Sequence, residues 1–122
     1  MNAGDKLGRY AEGWNKGDAE MILSAASESF VFDDPNAGAI AREDFAEYLA
    51  GLREVVAAAR GTGSSESFME LSEVLTQEAD GELSASCWWV IPGTDIQGSG
   101  LIKVGNDGVT SERIAYYTKL PE

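Results

Sequence analysis

Carboxyl and phenol side chains are the main candidates in this sequence for proton transfer. The chain has no histidine, which removes the usual general base at neutral pH and every serine–histidine or cysteine–histidine nucleophile. Its single cysteine, Cys87, lies in an apolar, strand-like run and is predicted to be a small core residue. Acid–base chemistry therefore falls to Asp, Glu, Tyr, Lys or Cys.

Asp34 is the candidate base. It directly precedes a proline and shares strand parity with Phe30 and Phe32, so its carboxylate is expected to end an inward-facing apolar row. Removal from water would make such a carboxylate a better proton acceptor. The other interpretation is a turn in which an Asp side chain accepts hydrogen bonds from backbone N–H groups. Asp33 has the opposite parity and is predicted to face water.

Tyr10 is the candidate hydrogen-bond donor. It shares one helical face with Leu7 and Trp14, so its ring is predicted to be buried. A buried hydroxyl aimed into a pocket would donate to a ligand carbonyl. The alternative is a core tyrosine whose hydroxyl bonds to another group of the protein.

Length and composition narrow the class of protein. A chain of 122 residues and 13.0 kDa predicts one domain, residues 1–122. The net charge of -12 disfavours nucleic acid as a partner, because phosphates would be repelled. No apolar run reaches the length of a membrane span or signal-peptide core, so we expect no membrane association and a cytoplasmic protein. Neither a metal-loop spacing nor a glycine-rich nucleotide motif is present, so no metal or cofactor is expected.

The elements that must position these residues are helices first and strands afterwards. Apolar spacing predicts one helix through Trp14, a second capped by Asp18, and a third over residues 42–60. A short strand is predicted over residues 29–33. After a loop at residues 61–67, alternation predicts four strands, at residues 68–78, 82–91, 96–104 and 109–120. This order indicates an α+β fold with helices on one face of a curved sheet, which leaves a concavity.

Four short segments resemble the NTF2-like superfamily, which includes ketosteroid isomerases and SnoaL-like polyketide cyclases. They are Tyr10-Ala-Glu-Gly-Trp-Asn-Lys-Gly-Asp18, Phe30-Val-Phe-Asp-Asp-Pro35, Ala41-Arg-Glu-Asp-Phe45 and Val104-Gly-Asn-Asp-Gly-Val-Thr-Ser-Glu-Arg-Ile-Ala-Tyr-Tyr117. The resemblance covers nearly the whole chain. It implies a cystatin-like cone, in which three N-terminal helices pack on a curved, mostly antiparallel sheet, with a pocket inside and frequently a dimer.

The resemblance also implies roles for individual residues. The base of the ketosteroid isomerases precedes a proline at the end of the first strand and matches Asp34, and their tyrosine donor matches Tyr10. Their protonated aspartate falls on Gly100, which has no side-chain donor, so steroid isomerisation is not expected. The function implied is proton transfer next to a carbonyl, of isomerase or cyclase type and without a cofactor. The alternative is a non-catalytic ligand-binding or interaction module.

Further residues are predicted to shape a pocket for a small apolar organic ligand. They are Trp14, Phe30, Phe32, Tyr48, Trp89, Gly98, Gly100 and Tyr117. The two glycines are expected to leave extra room for the ligand. Trp88, Val90 and Tyr116 are predicted to lie on the opposite face of the sheet, where large apolar residues need a cover. A homodimer through this outer face is expected.

Overall fold

Three helices and six strands follow one another in the structure, a computed structural model that describes residues 2–60 and 67–117. The elements are α1 (Ala3–Lys16), α2 (Ala19–Ser24), β1 (Ala26–Asp34), β2 (Gly38–Ala41), α3 (Arg42–Arg60), β3 (Glu70–Ala79), β4 (Glu82–Val90), β5 (Gln97–Gly105) and β6 (Gly108–Tyr116). The predicted third helix is confirmed, and β3 to β5 begin and end within two residues of their predicted bounds. Most of the predicted loop at 61–67 and residues 118–120 of the last predicted strand lie outside the described residues. None of the described helices is long and apolar enough to cross a membrane.

Capping side chains fix the two helices that begin the chain. The Asn2 side chain accepts a hydrogen bond from the backbone N–H of Asp5, and the Asp5 side chain accepts one from the backbone N–H of Asn2. The two bonds form a capping box. Gly17 ends α1 in the left-handed conformation, with φ 66°. The predicted cap of α2 is confirmed, because the Asp18 side chain accepts from the N–H of Met21 at 3.1 Å. Tyr10 of α1 has no exposed surface and faces the core.

The sheet has the strand order β2-β1-β6-β5-β4-β3. β1 and β6 are parallel and all other neighbouring strands are antiparallel. The predicted α+β class and mostly antiparallel sheet are therefore confirmed. β2 is an additional edge strand that sequence analysis did not predict. Its sequence, Gly38–Ala41, contains one β-branched residue, so it lacks the composition of a strand.

A bulge in β6 reverses the side-chain directions predicted for the end of the chain. Lys103 pairs with Ser111 and Val104 pairs with Val109, which leaves Thr110 without a partner. One extra residue moves every later side chain of the strand to the other face. Tyr116 therefore lies inside and Tyr117 outside, so both predicted orientations were wrong.

The outer face of the sheet carries exposed apolar side chains. They are Val74, Leu75, Trp88, Val90, Leu101 and Tyr117. The ring centroids of Trp88 and Tyr117 lie 5.4 Å apart in an edge-to-face arrangement. Trp88 and Val90 thus lie on the face that alternation predicts, whereas Tyr116 does not.

Candidate functional site

The inner face of the sheet and the helices enclose a small, mostly apolar cavity. Its volume is about 10 Å³, close to what one water molecule needs. Its lining comprises Trp14, Phe32, Tyr48, Leu52, Met69, Trp89, Ile91, Ile96, Glu112, Ile114 and Tyr116. Four of the predicted pocket residues, Trp14, Phe32, Tyr48 and Trp89, are in this lining. A larger molecule can enter only if some of these side chains move.

Asp34 lies beside this cavity, behind two tyrosines. Its side chain is 3% exposed. The hydroxyls of Tyr48 on α3 and Tyr116 on β6 both donate to its Oδ2, at 2.5 and 2.8 Å. Its Oδ1 accepts from the backbone N–H of Asn36 at 2.9 Å. Asp34 is therefore both a buried inward-facing carboxyl group and a turn residue. Of the two interpretations that the sequence left open, the inward-facing carboxyl group describes Oδ2 and the turn describes Oδ1.

Asp33 points the other way, as its parity predicts. Its Oδ2 lies 3.6 Å from Nε of Arg113 on the outer face of the sheet. The Arg113 side chain is 80% exposed, so this ion pair contributes little to stability. Of the two neighbouring aspartates, Asp34 is the one that faces inward.

The tyrosines that hold Asp34 keep their protons. Burial raises the pKa of the Tyr48 hydroxyl far above its usual value, and the hydrogen bond to Asp34 raises it further. Burial and the same carboxyl group also raise the pKa of Tyr116. Both hydroxyls are therefore hydrogen-bond donors at any physiological pH. Asp34 itself is not part of the cavity lining and reaches the cavity through these two side chains.

Tyr10 forms a second buried pair, with Glu112 of β6. The Tyr10 hydroxyl donates to Oε1 of Glu112 at 2.5 Å, and Tyr10 has no exposed surface. Burial, followed by the charge of Glu112, holds the pKa of the Tyr10 hydroxyl well above its usual range. Tyr10 is absent from the cavity lining, whereas Glu112 is part of it. The hydroxyl thus bonds to another group of the protein, and that group contacts the cavity.

Glu112 is the residue of this site that sequence analysis missed. Burial raises its pKa to about 7, although the hydrogen bond from Tyr10 opposes the rise. The available signal was alternation, because Glu112 shares parity with Ile114 and Tyr116. The bulge at Thr110 concealed the direction of that whole row. A glutamate on an inward row of a strand is unusual enough to mark a functional candidate.

The two glycines of β5 do not leave room for a ligand, so that prediction was wrong. A Cβ atom at Gly98 would collide with the carbonyl oxygen of Ala115 and lie 2.6 Å from Cζ2 of Trp89. A Cβ atom at Gly100 would lie 2.5 Å from Oε2 of Glu112. The space beside Gly100 therefore contains a carboxyl group. Glu112 could supply the donor that Gly100 lacks. The glycine is therefore no longer a reason to expect that steroid isomerase activity is absent, and that expectation stays untested.

Two other predicted pocket residues lie elsewhere. Phe30 packs in the core, with its ring centroid 6.0 Å from that of Tyr10 and 5.5 Å from that of Phe45. Tyr117 lies against Trp88 on the outer face. Phe30 supports the side chains that shape the site, and Tyr117 has no part in it.

Unpaired polar groups also belong to the cavity lining. The indole N–H groups of Trp14 and Trp89 are buried, and neither has a hydrogen-bond partner within the described residues.

Cys87 is buried nearby, and burial raises its pKa to about 11, so its thiol is unreactive at neutral pH. Within residues 2–60 and 67–117, no group of three or more metal-ligating side chains could hold an ion.

Comparison with known proteins identifies the fold. No protein-family model matches the chain, and no curated protein matches its sequence. An NTF2-like protein of unknown function from Cytophaga hutchinsonii matches in structure with a TM-score of 0.63 and 14% identity, over 96% of this chain and 91% of that one. A protein of Xanthomonas campestris, described as a proposed polyketide cyclase, gives 0.59 and 17% over 95% and 89%. TerC, co-crystallised with polyporic acid, gives 0.66 and 15% over 93% and 89%.

These matches cover nearly the whole of each chain. The protein therefore has the NTF2-like fold that its sequence motifs indicated. At such low identity the likeness establishes the fold alone, because one scaffold hosts many activities. The function must be argued from the two carboxyl–tyrosine groups and the cavity between them.

Proposed function

We propose that the chain binds a small, largely apolar carbonyl compound in the inner cavity and transfers a proton at the carbon next to the carbonyl. The observation that carries this proposal is the pair of buried carboxyl groups at one apolar cavity. Glu112 lines it directly, and Asp34 reaches it through Tyr48 and Tyr116. Buried ionisable groups at a cavity are the usual means of acid–base catalysis. The organic ligand of TerC and the description of the Xanthomonas protein support a ligand of this kind.

Asp34 is the base in this proposal. It takes a proton from the carbon next to the carbonyl, and the electrons of the broken C–H bond form a C=C bond as the carbonyl oxygen gains negative charge. The proton then returns from Asp34 to a carbon of the ligand, so that the reaction needs no second reactant. The hydroxyls of Tyr48 and Tyr116 both donate to Oδ2 of Asp34 and separate it from the cavity. The ligand must therefore displace Tyr48 or Tyr116 from Oδ2.

Tyr10 is the donor in this proposal, and it acts through Glu112. Its hydroxyl proton is directed at Oε1 of Glu112, so it holds and polarises the carboxyl group that borders the cavity. A donor network of this kind stabilises negative charge that develops on a ligand oxygen. No cofactor has a role in this scheme.

The second candidate function is a binding module without catalysis. The cavity of about 10 Å³ is far smaller than the pockets that bind organic ligands. The side-chain oxygens of Asp34 and the hydroxyl of Tyr10 are already hydrogen-bonded inside the protein. Under this alternative, the polar pairs stabilise the fold and the outer face carries the interactions.

Hydrogen exchange separates the two candidates. We expect the protein to accelerate replacement of the protons next to the carbonyl of 2-tetralone by deuterium, followed by NMR in heavy water. Asp34→Asn should lower the rate at least about a hundredfold, since acid–base groups contribute this much or more. Asp33→Asn, on the outer face of the same strand, is the matched control and should leave the rate unchanged. Exchange no faster than in buffer would contradict proton transfer and favour the module without catalysis.

A further inference from the structure

We infer that molecules enter the inner cavity from a hollow on the surface, between the end of α3 and the turn that joins β4 to β5, and that Arg60 holds this route closed. The surface hollow is lined by Ala59, Gly93, Thr94, Asp95 and Ile96. The inference concerns access to the cavity of the proposed function. It does not depend on which reaction takes place there.

The surface hollow and the inner cavity share one wall. Ile96 lines both of them. The hollow measures about 360 Å³, which is the size of a small-molecule pocket. The inner cavity measures about 10 Å³, which is enough for one water molecule. Movement of Ile96 away from α3 would join the two spaces and give the inner cavity the volume that an organic molecule needs.

The guanidinium group of Arg60 connects the segments that close this end of the molecule. Its Nε donates to the carbonyl oxygen of Pro92 at 2.6 Å. Its Nη2 donates to the carbonyl oxygens of Ser67 and Phe68 at 2.6 and 2.9 Å. Because Arg60 is the last residue of α3, one side chain joins the helix to the β4–β5 turn and to the segment before β3. The planar fork of N–H groups in arginine suits such a bridge.

Cavity-lining residues adjoin each of these contacts. Ile91 lines the cavity and directly precedes Pro92. Met69 lines it too and directly follows Phe68. Leu52 provides the third wall, from α3. The hydrogen bonds of the guanidinium group therefore fix the spacing among three walls of the inner cavity.

The end of α3 has few other attachments. Residues 57–59 are exposed, and Val55 is 56% exposed, so apolar packing of this part ends at Val56. Among the described residues, the hydrogen bonds of Arg60 are the ones that join residues 49–60 to other elements. Loss of these bonds would therefore free the last turn of the helix.

The segment before β3 is held independently of Arg60. The backbone N–H of Phe68 donates to the carbonyl oxygen of Asn15 at 2.7 Å. The Asn15 side chain donates in turn to the carbonyl oxygen of Met69 at 3.2 Å. This segment thus stays on α1 when Arg60 lets go. The parts that can separate are the end of α3 and the β4–β5 turn.

The β4–β5 turn is closed by its own hydrogen bonds and can move as one unit. The N–H of Ile91 donates to the carbonyl oxygen of Ile96 at 3.0 Å. The N–H and the hydroxyl of Thr94 both donate to the carbonyl oxygen of Ile91, at 3.2 and 2.7 Å. In the described part of the chain, the bond from Arg60 to Pro92 is the one that joins this turn to the helices. Breaking it would let the turn carry Ile96 away from α3.

Exchange of buried indole protons tests the inference, with heavy water as the probe and NMR as the readout. The indole N–H groups of Trp14 and Trp89 are buried, and both residues line the inner cavity, so their exchange reports how often solvent reaches it. Trp88 is exposed and provides the fast reference. Arg60→Met keeps an apolar stem and removes the donors. We expect it to accelerate exchange of both buried indoles at least about tenfold, since a hydrogen bond to a charged group contributes about this factor.

Two controls separate access from stability. Arg53→Met removes the same charge from an exposed position of the same helix and should leave the indole exchange unchanged. The backbone N–H of Ile102, in the middle of the sheet, should keep its wild-type exchange rate in Arg60→Met. Global unfolding exposes all protected protons together, whereas a local opening exposes only those along the route. A purely structural role for Arg60 would therefore accelerate the Ile102 amide by the same factor as the indoles.

A second variant tests the route with Arg60 in place. Ile96→Ala removes most of the side chain that borders both spaces, so it should also accelerate exchange of the two indoles relative to the Ile102 amide. The inference is overturned if Arg60→Met or Ile96→Ala leaves that ratio at its wild-type value, or if Arg53→Met changes it as much as Arg60→Met does. These measurements use no organic ligand. Failure of the proton-transfer assay therefore leaves this inference standing, and failure of the indole test leaves the proposed reaction standing.

Discussion

Glu112 has a raised pKa because it has lost water and gained one neutral donor. A carboxylate in the interior loses the hydration that stabilises its charge, and only a cation or several N–H or O–H donors can replace it. Among the described residues Glu112 has the single hydrogen bond from Tyr10. Asp34, by contrast, receives two hydroxyl donors and one backbone N–H. The two carboxyl groups thus have different surroundings around one cavity, which is the usual basis for assigning different acid–base roles.

The raised pKa of Glu112 has a defined effect on stability. The pKa rises from 4.5 to about 7 on folding, so between these values the folded protein binds more protons than the unfolded chain. The free energy of unfolding therefore falls as the pH rises from about 4.5 to 7, by about 3 kcal/mol for this group. Glu112→Gln should remove that part of the decline, whereas the control Glu78→Gln, an exposed change on β3, should retain it. Urea denaturation at pH 5 and pH 8 measures the difference, and an equal decline in all three proteins would contradict the assignment.

The inward direction of individual residues at the site was predictable, but their partners were not. Alternation with Phe30 and Phe32 correctly turned Asp34 inward, and helical spacing correctly buried Tyr10. The hydrogen bonds join residues 102 positions apart for Tyr10 and Glu112, and 82 apart for Asp34 and Tyr116. Such pairs depend on strand order and register. No local pattern in a single sequence contains this information.

Among the secondary-structure elements too, some features were predictable from the sequence and others were not. The third helix and most strands follow from apolar periodicity, which local sequence records. The bulge at Thr110 does not, because neighbouring Ser111 and Val109 fit either register. An error of one residue there exchanged the faces of Tyr116 and Tyr117 and hid Glu112. A prediction of side-chain direction beyond a β-bulge therefore needs the strand register as well as the alternation.

The contact between α1 and α2 depends on a glycine. A Cβ atom at Gly13 would lie 2.6 Å from Cγ1 and 2.9 Å from the backbone nitrogen of Ile22. Gly13→Ala should thus destabilise the protein by about 1–3 kcal/mol, despite the better helix propensity of alanine. Gly8→Ala lies in the same helix with nothing within 4 Å and should stabilise by about 0.5–1 kcal/mol. Thermal and urea denaturation of both variants provides the comparison, and stabilisation by both would show that helix propensity outweighs the contact with Ile22.

At the scale of the whole molecule, the two faces of the sheet have different environments. The inner face is covered by helices and is almost filled, since its cavity measures about 10 Å³. No described residue covers the outer face, which exposes Leu75 at 72%, Trp88 at 47% and Leu101 at 43%. Contiguous exposed apolar side chains of this kind mark an interaction surface.

A second copy of the chain suits the outer face. A groove of about 930 Å³ on this face is lined mostly by apolar side chains, together with Ser86 and Ser99 and the charged Glu73 and Arg113. The side chain of Arg113 is 80% exposed. In a symmetric pair, each partner can present Arg113 to the acidic end of the other groove, which offsets part of the repulsion between two chains of net charge -12. We therefore expect this surface to be self-complementary in charge as well as apolar.

We therefore predict a symmetric dimer through the outer face, with Tyr117 in place of the Tyr116 that the sequence suggested. Trp88→Glu should place an unpaired carboxylate in the interface, at a cost of several kcal/mol, and give a monomer. Val55→Glu makes a comparable apolar-to-acidic change on α3, where Val55 is 56% exposed, and should remain dimeric. Sedimentation velocity at micromolar concentrations distinguishes the two states. A monomeric wild type, or loss of the dimer in Val55→Glu but not in Trp88→Glu, would show that this face is not the interface.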